Sequence, residues 1–232
     1  MLEKVKRTIG TDVVIELSDQ MEETGYYDPD SFPPTIAINK KTGLNESNLA
    51  HELIHIIQIS QGFPTTPKGM FQDKRRKVVI ELSSNLLHIP LVEEMNRRGI
   101  PIKPYIQPTL QAIEGVLSTR TSQQVSRIPI RRVHYEAAVL IRIKYESPRP
   151  ERRRFLRLFE SKSPAALGVW SRLESIIANE DVYHPEGNIK ALYKALMLFN
   201  AFDLTLQAFD FERDLYLPLT DYLQRKYPFL SI

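Results

Sequence analysis

Apolar residues recur at helical spacing through most of this 232-residue chain. Leu49, Leu53, Ile56 and Ile57 form one stripe, which predicts a helix over about 46–61, with Asn45 or Ser47 to cap it and Gly62 to end it. Val78, Val79, Leu82, Leu86 and Ile89 form a second, over a helix from about Gln72 or Asp73 to Ile89, with Asp73 a possible cap. Two short runs, Asp12–Leu17 and Thr35–Asn39, are β-branched and apolar and read as strands. Residues 1–9 read as a short lead-in helix. Asp19–Pro34, Lys40–Gly43 and Gly62–Gly69 carry the Gly and Pro of turns and loops. Beyond Pro90 the helical period returns over Leu91–Arg98, Thr109–Leu117, Pro129–Tyr145, 151–160, 165–179 and about 187–209. A last helical stretch, Phe211–Tyr227, is broken by Pro218. The pattern predicts an α+β, predominantly helical protein. A small core over 1–98, a short sheet plus a helix, precedes a helical region over 99–232.

Composition narrows the class. A hydrophobic share of 42% and a charged share of 25% are those of a soluble globular chain. No apolar run nears the ~20 residues that span a bilayer, and Met1–Gly10 lacks the apolar segment of a secretory signal. With no cysteine, disulfides, thiolate metal sites and cysteine nucleophiles are excluded. These features point to a cytoplasmic protein with no membrane partner.

The helix at 46–61 carries His51-Glu52-Leu53-Ile54-His55, an HExxH pattern. Positions i and i+4 share a helix face, so both imidazoles can reach one zinc ion (Zn2+). Glu52 projects beside the metal and can take a proton from its water, whose pKa zinc lowers from about 15.7 to about 7. Such a site needs a third ligand from a second element. Glu81 is the best candidate: it lies 26 residues after His55, in the apolar run Val78–Leu82, where an unpaired carboxylate is costly to bury. Glu81, Asn85 and His88 recur along one helix face. His88 is a reserve ligand, or an ordinary part-buried histidine; Asn85 can support a ligand or be an ordinary helix residue. The strand before the HExxH helix can offer a free edge to an extended peptide, or be a plain sheet strand.

Gly25-Tyr26, Ile36–Asn39, Leu49–His55, then Glu81 with Ser84-Asn85, and finally Pro90, resemble the ImmA/IrrE family of zincin-like metallopeptidases. The resemblance covers roughly residues 10–95, with Ser84 where alanine is usual. It implies a zincin-like fold for the core, zinc on His51, His55 and Glu81, and Glu52 as catalytic base. It also implies a peptide or protein substrate, such as a repressor-like regulator.

Charge is unevenly spread. Residues 97–157 hold 14 Lys/Arg against 4 Asp/Glu, whereas 1–96 hold 10 against 14 and 158–232 hold 7 against 10. The basic middle reads in two ways. It can bind nucleic-acid phosphates or an acidic protein, which would make the chain a non-catalytic interaction protein on a zincin scaffold. Otherwise it is a solvated face, or one paired internally with the acidic last third, which a charge run usually is. His134 and His184 stand alone and read as core or surface residues. Tyr183 or His184 can serve as an oxyanion donor, but nothing in the sequence selects either.

Overall fold

The computed structural model describes residues 2–19, 25–28, 33, 35–41, 45–64, 76–200, 207–210 and 215–230. After helix α1 (Leu2–Ile9) come strands β1 (Val14–Ser18), β2 (Gly25–Asp28) and β3 (Thr35–Asn39). β3 is the middle strand. It pairs in parallel with β1, Val14 opposite Thr35, and antiparallel with β2, Gly25 opposite Ile38. Its alternation is the cause of its position. Ile36 and Ile38 point inward and are fully buried on Val5 of α1 and on Leu53, Ile56 and Ile57 of the next helix. The strand ahead of the HExxH helix therefore has no free edge; the edges belong to β1 and β2. β2 also corrects the expected loop over 19–34.

Helix α2 (Glu46–Ser60) is capped as expected, the Asn45 side chain accepting from the Asn48 amide at 2.9 Å. The expected start of the next helix at Gln72 or Asp73, with Asp73 as its cap, lies outside the described residues. That helix, α3 (Arg76–Arg97), runs on through Pro90, so the two helices expected on either side of it are one. Proline removes one backbone bond but does not end a helix whose freed carbonyl finds another donor. Here the Asn188 side chain supplies it to Leu86 at 2.9 Å.

Helices α4 (Lys103–Ser118), α5 (Ser122–Val125), α6 (Ile130–Glu146), α7 (Arg149–Lys162), α8 (Pro164–Ala178) and α9 (Pro185–Leu198) follow. α4 starts well before Thr109, because Pro104 occupies its first turn, where no intrahelical amide bond is lost. α9 stops at Leu198, and part of the stretch expected to continue it forms a hairpin. That hairpin is β4 (Gln207–Asp210) against β5 (Leu215–Pro218), followed by α10 (Leu219–Lys226).

The main core joins α3 to α6, α8 and α9 through Leu82, Leu86, Ala137, Leu140, Trp170 and Leu192, among others. A smaller cluster ties Ala50 and Ile54 of α2 to Leu91, Val92 and Met95 of α3. α3 thus contributes to both clusters. No helix among the described residues is long and apolar enough to cross a membrane.

Candidate metal centre

α2 is wedged between the sheet and α3, and its polar side chains are enclosed. Ser47 Oγ donates to the Pro101 carbonyl at 2.7 Å, fixing the helix start against the α3–α4 turn. Gln58, a turn past the motif, donates from Nε2 to the Leu87 carbonyl at 2.9 Å, fixing α2 along α3. These contacts set His51 and His55 level with His88. One ligand atom from each of the three histidines lies within 4.8 Å of the others. The His51 and His55 ring centres are 4.5 Å apart, and His51 Nε2 is 3.1 Å from His88 Nε2.

The hydrogen bonds behind the rings decide which nitrogens face inward. Because Gln58 spends its NH2 on Leu87, its Oε1 faces His55 Nδ1 at 3.1 Å, so that nitrogen must donate. His88 Nδ1 lies 2.9 Å from Glu146 Oε1. Burial alone would raise the Glu146 pKa, but Arg142 and His88 outweigh it and bring it down to about 2. Glu146 is therefore a carboxylate, and His88 Nδ1 donates to it. Glu52 Oε1 stands 2.8 Å from His51 Nδ1 and, when ionised, plays the same part for His51.

A neutral imidazole has one N–H, so with each Nδ1 donating, each Nε2 carries a lone pair. With Glu52 ionised, the lone pairs of His51 and His88 face each other at 3.1 Å, an arrangement that a cation between them relieves; with Glu52 protonated, its hydroxyl donates to His51 Nδ1 and His51 Nε2 donates to His88 Nε2. A proton is a poor candidate for that cation. Burial pushes the His51 and His55 pKa values well below the ordinary 6.5, with neighbouring histidines adding to it. His51 and His55 stand as neutral imidazoles beside His88, and the cluster of three can hold a metal ion.

Two further groups close the site. Tyr105 of α4 stacks on His51 with ring centres 3.9 Å apart. The buried Arg142 guanidinium lies 5.3 Å from the Tyr105 ring centre and pairs with Glu146 through Nε and Nη2 at 3.0–3.2 Å. Burial raises the Tyr105 pKa, so it is a neutral phenol.

The structure brings His51 and His55 together as their i, i+4 spacing implies, with Glu52 Oε1 on the Nδ1 side of the His51 ring; Glu81 is not in the donor group and His88 is. Glu81 sits two turns before His88 on α3, about 10.5 Å along the axis. There its Oε1 accepts from Asn85 Nδ2 at 3.0 Å, and Asn85 also donates to the Ala138 carbonyl at 3.0 Å. Gln58, Tyr105, Arg142 and Glu146 were not singled out. Gln58 had a local signal, standing three residues after His55 on the same helix; the other three are brought in by packing alone. His134 stacks on Phe199, and His184 pairs with Asp181 on the surface. A cavity of about 610 Å³ lined by Glu93, Tyr145, Asp181 and Tyr183 lies against α3 and contains none of the three histidines.

Compared with known protein families, curated proteins and solved structures, the chain matches none.

Proposed function

We propose that this chain is a zinc-dependent metallopeptidase in which His51, His55 and His88 hold the metal and Glu52 is the proton carrier. The observation that carries the reading is the meeting of three imidazoles around one point, two from the HExxH helix and one from α3. Zinc suits the donor set. Two nitrogens on one tetrahedral zinc are about 3.3 Å apart, given bonds of about 2.0–2.1 Å, and the His51–His88 pair is at 3.1 Å. Three protein ligands leave a fourth position, as catalytic zinc sites do. When bound, zinc supplies Lewis acidity that makes water a nucleophile near neutral pH.

The chain's own residues do the rest. Gln58 and Glu146 hold His55 and His88 in the ligating tautomer. Tyr105 and Arg142 cover the inner side of the rings and keep solvent from it. The Glu52 pKa is raised by burial, with His55 and His88 pulling it back. A carboxyl held above its ordinary value by burial accepts a proton more readily than a free one and can return it to a leaving amine. The resemblance to the ImmA/IrrE family, a repressor-like substrate and a cytoplasmic location belong to the same reading, with His88 in place of Glu81 as the departure.

Metal analysis and peptide cleavage test it. The purified protein should carry about one zinc per chain. His51→Ala and His88→Ala should lose it, and Glu81→Ala should keep it. Glu52→Gln should keep zinc and lose cleavage of a mixed peptide library. Zinc retained in His88→Ala but lost in Glu81→Ala would overturn the ligand set. Full cleavage by Glu52→Gln would overturn the mechanism.

A further inference from the structure

Seven of the 14 cations in the basic stretch are matched by carboxylates of the fold. Arg97 and Arg98 pair with Glu94, Arg142 with Glu146, Lys144 with Glu174 and Arg154 with Glu114. The remaining two, Arg120 and Arg132, share one buried carboxylate, Glu136, as Arg97 and Arg98 share the part-exposed Glu94. Glu136 is 3% exposed and also accepts from Ser163 Oγ. Arg120 is bound to it through both terminal nitrogens and donates as well to the Lys162 carbonyl at 2.8 Å. Arg132 spends only Nε on Glu136, at 2.6 Å, so both its terminal NH2 groups remain open. Beside them stands Arg127, exposed and with no carboxylate partner among the described residues.

These three arginines line one cavity of about 750 Å³ between the end of α4, α5 and the start of α6, and no carboxylate lines it. Three guanidiniums against Glu136 leave a local charge of +2. Gln124, also in the lining, is fixed by the α5 capping box: its Oε1 accepts from the Thr121 amide, which leaves Nε2 as a neutral donor. The remaining lining includes Val116, Ile128 and Pro129, an apolar surface in which Val116 is 48% exposed. The volume is that of a small-molecule site.

We propose that this cavity binds a phosphate-bearing small molecule of nucleotide size, a phosphomonoester carried on an apolar or aromatic body. Planar guanidiniums grip phosphate oxygens two at a time. Arg120 and Arg132 are already immobilised by Glu136, so little side-chain entropy is lost when a ligand arrives. The apolar lining takes the body. A polyanion would need the excess charge spread along the surface, whereas here three guanidiniums converge on one cavity that no carboxylate lines.

Calorimetric titration of the full chain with AMP and with inorganic phosphate tests the proposal. AMP should bind saturably at low salt and more tightly than phosphate, and its affinity should fall as salt is added. Arg127→Ala, an exposed change that spares the Glu136 network, should weaken AMP about tenfold, and Arg127→Glu should abolish binding. Arg153→Ala, on the exposed face of α7, and His88→Ala should leave AMP affinity unchanged, the second because the metal centre is a different site. Loss of binding in His88→Ala, unchanged affinity in Arg127→Glu, or no saturable binding of either probe would overturn the proposal. So would a short single-stranded oligonucleotide that binds more tightly than AMP and depends on Arg153 and Arg157 but not on Arg127.

Discussion

Asn188 of α9 replaces the amide that Pro90 of α3 lacks: its Nδ2 donates to the Leu86 carbonyl, four residues before the proline, at 2.9 Å. The same NH2 group donates to Val182 at 3.0 Å, and Asn188 is fully buried. Removing it leaves two carbonyls without this donor, and an unmet buried acceptor costs about 1–3 kcal/mol. Asn188→Ala should therefore destabilise by about 2–4 kcal/mol in denaturant unfolding. Pro90→Ala restores an amide facing Leu86, so it should recover about 1 kcal/mol or more in the Asn188→Ala background. Strictly additive effects in this cycle would show that the two groups do not share the carbonyl.

That contact also explains what the sequence could and could not reveal. The HExxH helix was legible because its apolar stripe, its Asn45 cap and its paired histidines are all local. Pro90 read as a stop, which placed His88 at a helix end and Glu81 at its middle. The donor that carries α3 through Pro90 lies 98 residues away, so no local pattern announces it. With the helix continued, residue 88 falls near its centre and level with the HExxH pair. Glu81 and His88, seven residues apart, share a face, so periodicity could not choose between them; only the axial position of α2 on α3 does. β2 and the β4–β5 hairpin were missed for a related reason. Each is a four-residue strand that exists by pairing, and pairing is not a property of either segment alone.

Glu146 is the most consequential buried charge behind the centre, since it holds both His88 and Arg142. Glu146→Gln keeps an oxygen for His88 but strands the Arg142 guanidinium, and breaking a buried pair costs about 3–5 kcal/mol. The double change Arg142→Met with Glu146→Leu should cost less than Glu146→Gln alone, because no charge is left behind. In the double change zinc affinity should fall by about 10–100-fold as His88 loses its partner, and it should fall less in Glu146→Gln, which keeps an acceptor. Denaturant midpoints and competition with a chromophoric chelator measure the two effects separately. Equal zinc affinity in wild type and the double change would remove Glu146 from the support of the site.

Gln58 carries the corresponding role for His55. Gln58→Leu has a similar volume but neither donates to Leu87 nor accepts from His55. It should lower zinc affinity about tenfold or more and destabilise by about 1–3 kcal/mol. Gln58→Glu keeps an acceptor for His55 but sets a carboxylate oxygen against the Leu87 carbonyl, so it should retain more zinc affinity than stability. A Gln58→Leu protein with wild-type zinc affinity would mean that the His55 tautomer is fixed elsewhere.

The metal-free protein should weaken steadily as pH falls from neutrality, and the sign follows from the direction of each shift. His51 and His55 have folded pKa values below the ordinary 6.5. As pH falls through about 6.5 the unfolded chain takes up protons that the folded chain refuses, so stability drops, with a limit of about 1.4 kcal/mol per pH unit for each group. Glu146 acts in the same direction lower down: its contribution is full above 4.5 and lost as pH falls towards about 2. Glu52 works against them, because its folded pKa is raised and protonation in the folded state relieves a cost. It acts as pH falls through its own raised value, and it is one group against two, so the net slope keeps the sign set by the histidines. Urea midpoints of the apo protein should fall from pH 7 to 5, and His55→Gln should flatten the fall. If the wild-type midpoint is level from pH 7 to 5, the imidazoles protonate inside the fold, and they are not the neutral ligands that the metal centre requires.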